Sequence, residues 1–286
     1  MKNKNRIIVL GSNGFVGGSV LRLLQKKKYN CIGVSRKKMD FLKISSIKKL
    51  SKLIKKGDVV VNAVAIAPCK NLEELEKNLI IIKNIQKGLE EKKIKKYINI
   101  SSDAVYGDKK IPLTETDIPN SSSIHGLMHC NREKIINFTT NNSIDVIHVR
   151  PTLIYGIGDP HSGYGPNLFL KTMKEKKKIN IFGNGDELRD HICIDDVSFL
   201  IVELIKKKFK GPINLVTSKG ITFYKIARIF VNINKEIKII KLKRKIKKPH
   251  GGYRLFNNKN LVKLFPKFKF SKIENKIIDM VENERN

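Results

Sequence analysis

The chain contains no tryptophan, and aromatic residues make up only 7 % of its 286 positions. Acidic residues are also few: 26 Asp and Glu face 58 Lys and Arg, a formal net charge of +32. Within that excess arginine is scarce, at ten of the 58 basic residues. A surface built to read nucleic acid uses arginine forks and interleaved aromatic platforms. The lysine excess therefore reads as a compositional bias that also favours Ile and Asn. Runs such as Lys26–Lys28, Lys92–Lys96 and Lys241–Lys248 are expected on solvated helix faces and loops. A nucleic-acid partner is not expected, although the charge leaves it open, and the field favours phosphate-bearing ligands in either case. The four cysteines (Cys31, Cys69, Cys130 and Cys193) lie far apart with no C-x-x-C pair. That spacing argues against a disulfide framework or a structural zinc site and predicts reduced, mostly buried thiols. No apolar run approaches the roughly 18–20 residues of a membrane span. The basic N-terminal stretch has too short an apolar core for a leader and breaks at Gly11. A cytoplasmic chain is expected.

The apolar share of 41 % is that of a globular protein. At about 150 residues per domain, the length allows one large domain or two interlocked lobes. The first half alternates short apolar runs with amphipathic segments. Strands are predicted at 6–10, 30–35, 58–64, 96–101 and 144–150, and helices at 16–28, 46–56, 73–91 and 125–140. Repeated strand–helix–strand units require right-handed crossovers and give a parallel sheet covered on both faces. After residue 156 the pattern loosens. A Gly/Pro-rich loop occupies 156–167, and a helix 168–178 follows. Residues 179–190 read as a short strand, a turn and a charged loop. A further strand is expected at 213–217, and the tail holds helical pieces with a break at Pro249–Gly252.

Gly11-Ser-Asn13-Gly14-Phe15-Val16-Gly17 follows the first strand and opens the first helix. Glycines there let the backbone turn tightly and approach a pyrophosphate, which a helix N-terminus binds through its free N–H groups and dipole. This context points to a dinucleotide. At the end of the second strand an acidic residue would bind the ribose 2′-OH of NAD, but the chain reads Ser35-Arg36-Lys37-Lys38. A hydroxyl and three cations suit a 2′-phosphate, which favours NADP(H) over NAD(H).

Four later segments join the glycine loop: Asn62-Ala63-Val-Ala65, Ile100-Ser-Ser102-Asp103-Ala-Val-Tyr-Gly107, Arg150-Pro151-Thr-Leu-Ile-Tyr-Gly156 and Arg189-Asp-His-Ile-Cys-Ile-Asp-Asp196. In this order, over about residues 6–270, the chain closely resembles the extended short-chain dehydrogenase/reductases. These are the NAD(P)-dependent nucleotide-sugar epimerases, dehydratases and 4-keto reductases. The resemblance implies an α/β fold, a doubly wound parallel Rossmann sheet with a smaller C-terminal substrate-binding lobe. Residues 1–165, joined by segments near 191–217, would form the cofactor-binding domain, and 166–286 mainly the substrate lobe. Asp40 and Phe41 would contact adenine, Ala63 and Ala65 would line the cofactor, and Asn78 would lie beside it with Asn84 on the same helix. Pro151 would lie near the nicotinamide, and Ser102 would bind the reacting sugar oxygen beside Asp103. Asn167 and Arg189, and more weakly Arg254, would grip the sugar-nucleotide diphosphate. His161 and Tyr164 stand in the loop that could meet the sugar. A homodimer through helices 73–91 and 125–140 is also what the resemblance suggests.

One departure is central. The family's Tyr-x-x-x-Lys pair is replaced by His125-Gly-Leu-Met-His129, in a register anchored by Ser123 and Glu133. Tyr106 and Lys110 have the same spacing, but Tyr106 belongs to the strand-end motif. Three readings stay open. His125 carries the proton at neutral pH, with His129 holding the ribose or orienting His125. Alternatively the site has lost its chemistry, leaving a silent dinucleotide sensor or RNA-associated scaffold. Finally, the two histidines could be half a metal site, but no third ligand is identifiable and no metal is expected. The first reading gives an epimerase or 4-keto reductase for polysaccharide or glycoconjugate precursors, with Ser102, His125 and His129 as its catalytic residues.

Overall fold

A computed structural model of the chain describes residues 5–140, 144–160, 165–245 and 247–283. His161 and Tyr164 lie outside them. In chain order the strands and helices are β1 (Ile7–Leu10), α1 (Phe15–Lys26), β2 (Cys31–Val34), α2 (Ser45–Leu53), β3 (Val59–Asn62), α3 (Leu72–Leu89) and β4 (Lys96–Ile100). A short 3-10 turn, Asp103–Val105, precedes α4 (Ile124–Thr140), β5 (Asp145–Pro151), β6 (Leu153–Tyr155), α5 (Pro166–Lys176) and β7 (Lys178–Phe182). Then come β8 (Leu188–Cys193), α6 (Ile194–Leu204), β9 (Gly211–Leu215), β10 (Gly220–Thr222), α7 (Phe223–Ile233) and β11 (Lys238–Leu242). The chain closes with β12 (Tyr253–Arg254), α8 (Lys259–Leu264) and α9 (Ile273–Asn283).

These elements divide into two compact units. The first holds the chain through Gly107, Glu115–Pro151 and Ser198–Asn214; the second holds Asp108–Thr114, Thr152–Val197 and the chain from Leu215. The sheet of the first unit has the order β2-β1-β3-β4-β5-β9, and the strands from β2 to β5 pair in parallel. This is the expected doubly wound α/β sheet. The strands are apolar on both faces because both faces are covered. Ile8, Leu10 and Val60 pack with Leu50 of α2, Ile81, Ile82 and Ile85 of α3 and Ile136 of α4. Lys27 of α1 lies over the Phe199 ring of α6 at 4.6 Å.

Lys96 departs from the expectation that the lysine runs are solvated. It is buried, and its Nζ donates to the carbonyls of Leu204, Ile205 and Lys207 at 3.1, 3.4 and 2.5 Å. An ammonium on the last carbonyls of α6 meets the negative end of the helix dipole. Cys69, Cys130 and Cys193 are buried and Cys31 is half-buried, all four as free thiols.

The second unit contains a small sheet in the order β10-β8-β12, with β6 also paired to β8. The predicted charged loop is therefore in part a central strand. Its charges are matched inside the unit: the Asp190 carboxylate accepts from the Thr217 N–H and hydroxyl at 3.1 and 2.6 Å and from the Ser218 N–H at 2.8 Å. Among the described residues no helix is long and apolar enough to cross a membrane.

His148, on β5, lies between the side-chain amides of Asn99 at 3.3 Å and Asn137 at 2.8 Å. Burial pushes its imidazole from 6.5 down to about 4. Below its ordinary value the unfolded chain binds a proton that the folded ring refuses, so stability is lost as pH falls from 6.5 toward 4. Urea unfolding at pH 7 and pH 5 should show a loss of about 2 kcal/mol from this ring at the lower pH. His148→Gln should narrow the pH 7 to pH 5 difference, and an unchanged difference would refute the assignment.

Candidate functional site

The glycine loop is held by contacts that leave no room for side chains. Gly11 turns with φ +81°, and a Cβ there would stand 2.8 Å from the Ala63 carbonyl oxygen. A Cβ on Gly17 would stand 2.3 Å from the carbonyl oxygen of Gly11. The backbones of β1 and α1 and the chain after β3 thus meet directly. Asn13 and Gly14 are exposed, and Phe15 and Val16 are half-buried in the first turn of α1. That helix starts at Gly14 with no side-chain cap and no acidic residue in its first turn. Its first N–H groups and positive dipole end are left for an anion. The cradle fits the pyrophosphate of a dinucleotide.

At the end of β2, the Ser35 carbonyl accepts from the N–H groups of Lys38 and Met39 at 3.1 and 2.9 Å, closing a turn. The Arg36 side chain is 76 % exposed and 3.8 Å from Asp40, whose carboxylate accepts the Leu42 N–H at 3.1 Å. Arg36, Lys37, Lys38, Lys43 and Lys49 ring a cleft of about 400 Å³. Phe41 is only 3 % exposed and belongs to the apolar core. Its carbonyl takes the Asn84 amide at 2.8 Å, so it shapes this end of the site from beneath.

Ala63 and Ala65 lie half-buried on the loop that leaves β3. The buried Asn78 side chain fastens this loop: it accepts the Ile66 N–H at 2.9 Å and donates to the carbonyls of Ile66 and Glu74 at 3.0 and 2.8 Å. Further along, the Cys69 N–H donates to Nδ1 of His125 at 3.2 Å. One loop thus joins the glycine cradle to the histidine, a link that no motif signals because its donor is a main-chain atom.

Ser102 begins the 3-10 turn after β4. Its Oγ accepts the Ala104 N–H at 3.1 Å and donates to Asp103 at 3.3 Å. Helix α4 lies tightly against this turn. A Cβ on Gly126 would fall 2.0 Å from the Ala104 carbonyl oxygen, and Cys130 Sγ donates to the Val105 carbonyl at 3.6 Å. His125 sits at the N-terminal end of α4. The His129 ring stands edge-on to it, with centroids 4.8 Å apart at 86°. His129 is only 5 % exposed. Burial first, then Arg132 and His125, hold its imidazole well below the ordinary value. Arg132 is itself fully buried, and burial lowers it to about 10. It donates to Asn99 at 3.3 Å. Pro151 closes β5 in a buried position.

Deeper in the first unit, Glu133 accepts from Ser101 at 2.5 Å and from Arg150 Nε and NH2 at 3.0 and 2.6 Å. Although burial opposes it, Arg150 keeps the Glu133 carboxyl below its usual range. Arg150 also donates to the Tyr106 hydroxyl at 2.8 Å, and that hydroxyl donates to Asn214 at 2.7 Å. Burial pushes Tyr106 up to about 12, which leaves it unsuited to act as a base near neutral pH.

In the second unit Arg189 and Arg254 are paired residues on β8 and β12. Arg189 donates to Glu187 at 2.8 Å and to the Pro249 carbonyl at 2.6 Å, and Arg244 binds the same Glu187 carboxylate. Arg254 lies 3.3 Å from Asp108, which also meets His250 at 2.5 Å. The three guanidiniums thus gather in one cluster with the Glu187 and Asp108 carboxylates. Arg244, Glu187 and Asp108 carry no motif signal and join the cluster only through the fold. Asn167 uses its side-chain amide on the Gly156 backbone, accepting the N–H at 3.1 Å and donating to the carbonyl at 2.7 Å, and so closes the loop before α5.

A model of the NAD dependent epimerase/dehydratase family matches residues 7–216, and the chain belongs to that family. GDP-6-deoxy-D-talose 4-dehydrogenase of Aggregatibacter actinomycetemcomitans is 25 % identical over 239 residues, covering 80 % of this chain and 80 % of that protein. UDP-N-acetylglucosamine 4-epimerase from Methanobrevibacter ruminantium M1, solved with UDP-N-acetylmuramic acid, has a TM-score of 0.83 and 20 % identity, covering 99 % of this chain and 98 % of that one. A GDP-L-fucose synthetase from Naegleria fowleri bound to NADP has a TM-score of 0.84 and 18 % identity, covering 99 % and 94 % of the two chains.

Removing one partner of a buried ion pair leaves the other charged and uncompensated. Glu133→Ala should cost about 3–5 kcal/mol of unfolding free energy in urea melts. A loss below about 1 kcal/mol would show that the pair does not hold α4 in place.

Proposed function

We propose that the protein carries out NAD(P)-dependent redox chemistry at a carbon of a nucleotide-activated sugar, as an epimerase or 4-keto reductase supplying polysaccharide or glycoconjugate precursors in the cytoplasm. The observation that carries this reading is the loop after β3. It packs on the glycine cradle through Ala63 and reaches His125 through Cys69, so the cradle and His125 share one frame. The family membership and the nucleotide sugars named for its relatives support it.

The amides at the start of α1 would hold the pyrophosphate, and Ser35 and Arg36 the adenosine ribose. Bound there, the nicotinamide accepts or supplies a hydride. Ser102 and His125 meet the sugar oxygen whose carbon changes oxidation state. His129, buried beneath His125, acts through it by fixing its ring. Arg189, with Arg244 and Arg254, supplies the positive charge that anchors the sugar-nucleotide diphosphate, a task suited to planar guanidinium forks. The exposed Arg36 and the lysine-ringed cleft beside it favour NADP(H) over NAD(H).

A groove of about 1170 Å³ between α3 and α4 is lined by Leu79, Ile135 and Phe138. Phe138 is 87 % exposed. We assign this apolar face to a second copy of the chain, pairing α3 and α4 with their counterparts. Sedimentation should give a two-chain species that Phe138→Lys converts to one chain. A monomeric wild type would overturn the assignment.

The reaction is tested by incubating the protein with a nucleotide-sugar panel that includes 4-keto sugars, and with deuterium-labelled NADPH or NADH. Label in a product identifies a reductase, and an unlabelled isomer identifies an epimerase that retains its cofactor. Arg36→Ala should weaken NADPH binding about ten-fold or more while leaving NADH nearly unchanged. No product from any sugar, with NADPH bound, would count against the proposed activity.

A further inference from the structure

We infer that His125 works as a neutral hydrogen-bond donor through Nε2–H, polarising the sugar oxygen, and not as the group that carries the proton. This rests on the redox reading above and assigns the chemical role of one of its residues.

A neutral imidazole has one donor and one acceptor nitrogen. At His125 the acceptor is set from outside. Nδ1 faces the Cys69 main-chain N–H at 3.2 Å, and a peptide N–H can only donate. The ring proton therefore lies on Nε2. A second proton on Nδ1 would point at that N–H, whereas loss of the Nε2 proton would leave an imidazolate. The contact disfavours the imidazolium, and the imidazolate is disfavoured by its own strong basicity, so the ring stays neutral. The ring begins and ends each turnover with one proton: its Nε2–H dipole stabilises the negative charge that hydride addition to the carbonyl carbon leaves on oxygen, and the proton that completes the hydroxyl comes from solvent water and returns to it in the reverse direction.

The contact belongs to a stiff frame. On the loop side, Asn78 pins Ile66 in both directions. The Asn71 side chain accepts the Glu74 N–H at 2.9 Å, and Glu74 in turn takes the Lys70 N–H at 2.6 Å. On the helix side, Gly126 lies against the Ala104 carbonyl, and Glu133 is locked to Ser101 and Arg150. Neither element can withdraw without breaking buried contacts.

The surrounding charges favour the same state. His125 stands in the first turn of α4, where the positive end of the helix dipole opposes an imidazolium. His129 lies edge-on beneath it, and the buried Arg132 guanidinium stands one turn beyond. From the loop, the neighbouring titratable side chains are Cys69, whose thiol is pushed up by burial and by Glu74, and Glu74 itself, which is bonded to the Lys70 N–H. A neutral histidine at a helix N-terminus that polarises a carbonyl is an established catalytic device.

Nitrogen-15 NMR of the full chain, without substrate at pH 7, tests the tautomer. The His125 signals are identified by their loss in His125→Gln. The expected result is Nδ1 in the unprotonated range and Nε2 in the protonated range. A proton on Nδ1 overturns the inference whatever the substrate proves to be. The turnover of an active panel sugar tests the role. Glutamine keeps a neutral N–H donor and cannot carry a proton, so His125→Gln should stay within about ten-fold of wild type. His125→Phe should lose about 100-fold or more. Equal, large losses in both variants would make the residue a proton carrier and overturn the inference. If no sugar turns over, the redox reading falls by itself, and the NMR result still decides the tautomer.

Discussion

The buried pair between Glu133 and Arg150 is the interaction on which the first unit depends. Two opposite charges have been taken out of water, and each is stable there only while the other is in place. The pair ties α4 to β5, while Ser101 extends it to the end of β4 and Tyr106 and Asn214 extend it to β9. Such a network has one satisfied arrangement, so it determines how deep α4 sits and at what rotation. His125 lies eight residues earlier on the same rigid helix, about 12 Å along its axis. Its placement beside the Ser102 turn follows from an ion pair about two turns further along the helix.

The same electrostatic economy governs the rest of the interior. The chain has a net charge of +32, and each cation it buries needs a compensating partner. Lys96 is held by the carbonyls at and just past the end of α6, Arg150 pairs with Glu133, and Arg189 shares Glu187 with Arg244. Arg132 is the exception: among the described residues its hydrogen bond goes to an amide, Asn99, while its Nε and NH1 have no partner. Burial, with the field of Arg132 added to it, holds the His129 imidazole well below its ordinary value. His129 is thus an uncharged ring with a cation behind it, edge-on to His125.

Much of the fold was legible because parallel strands covered on both faces are continuous apolar runs bounded by glycine and charge. The first five strands and the helices between them fall close to their predicted positions. Helix α6, Ile194–Leu204, was not anticipated because its run Phe199–Val202 is short and continuously apolar, a pattern that does not separate helix from strand. Strand β8 was hidden by Glu187, Arg189 and Asp190, whose charges suggest a solvated loop until their partners are known. Those partners lie about 30 to 60 residues away in the chain.

The amino-acid sequence by itself determined the glycine-rich turn, the basic character of the β2 terminus and the two histidines four residues apart. These are local features, each set by residue type and short spacing. Only the tertiary structure decided which atoms those residues have left to offer. It committed Asn78 and Asn167 to main-chain groups, buried Phe41 and His129, set Arg189 beside Arg254, and turned a Cys69 amide toward His125. A side chain's chemistry is written in its type, but its protonation and free valences depend on neighbours that the chain brings close only when it folds.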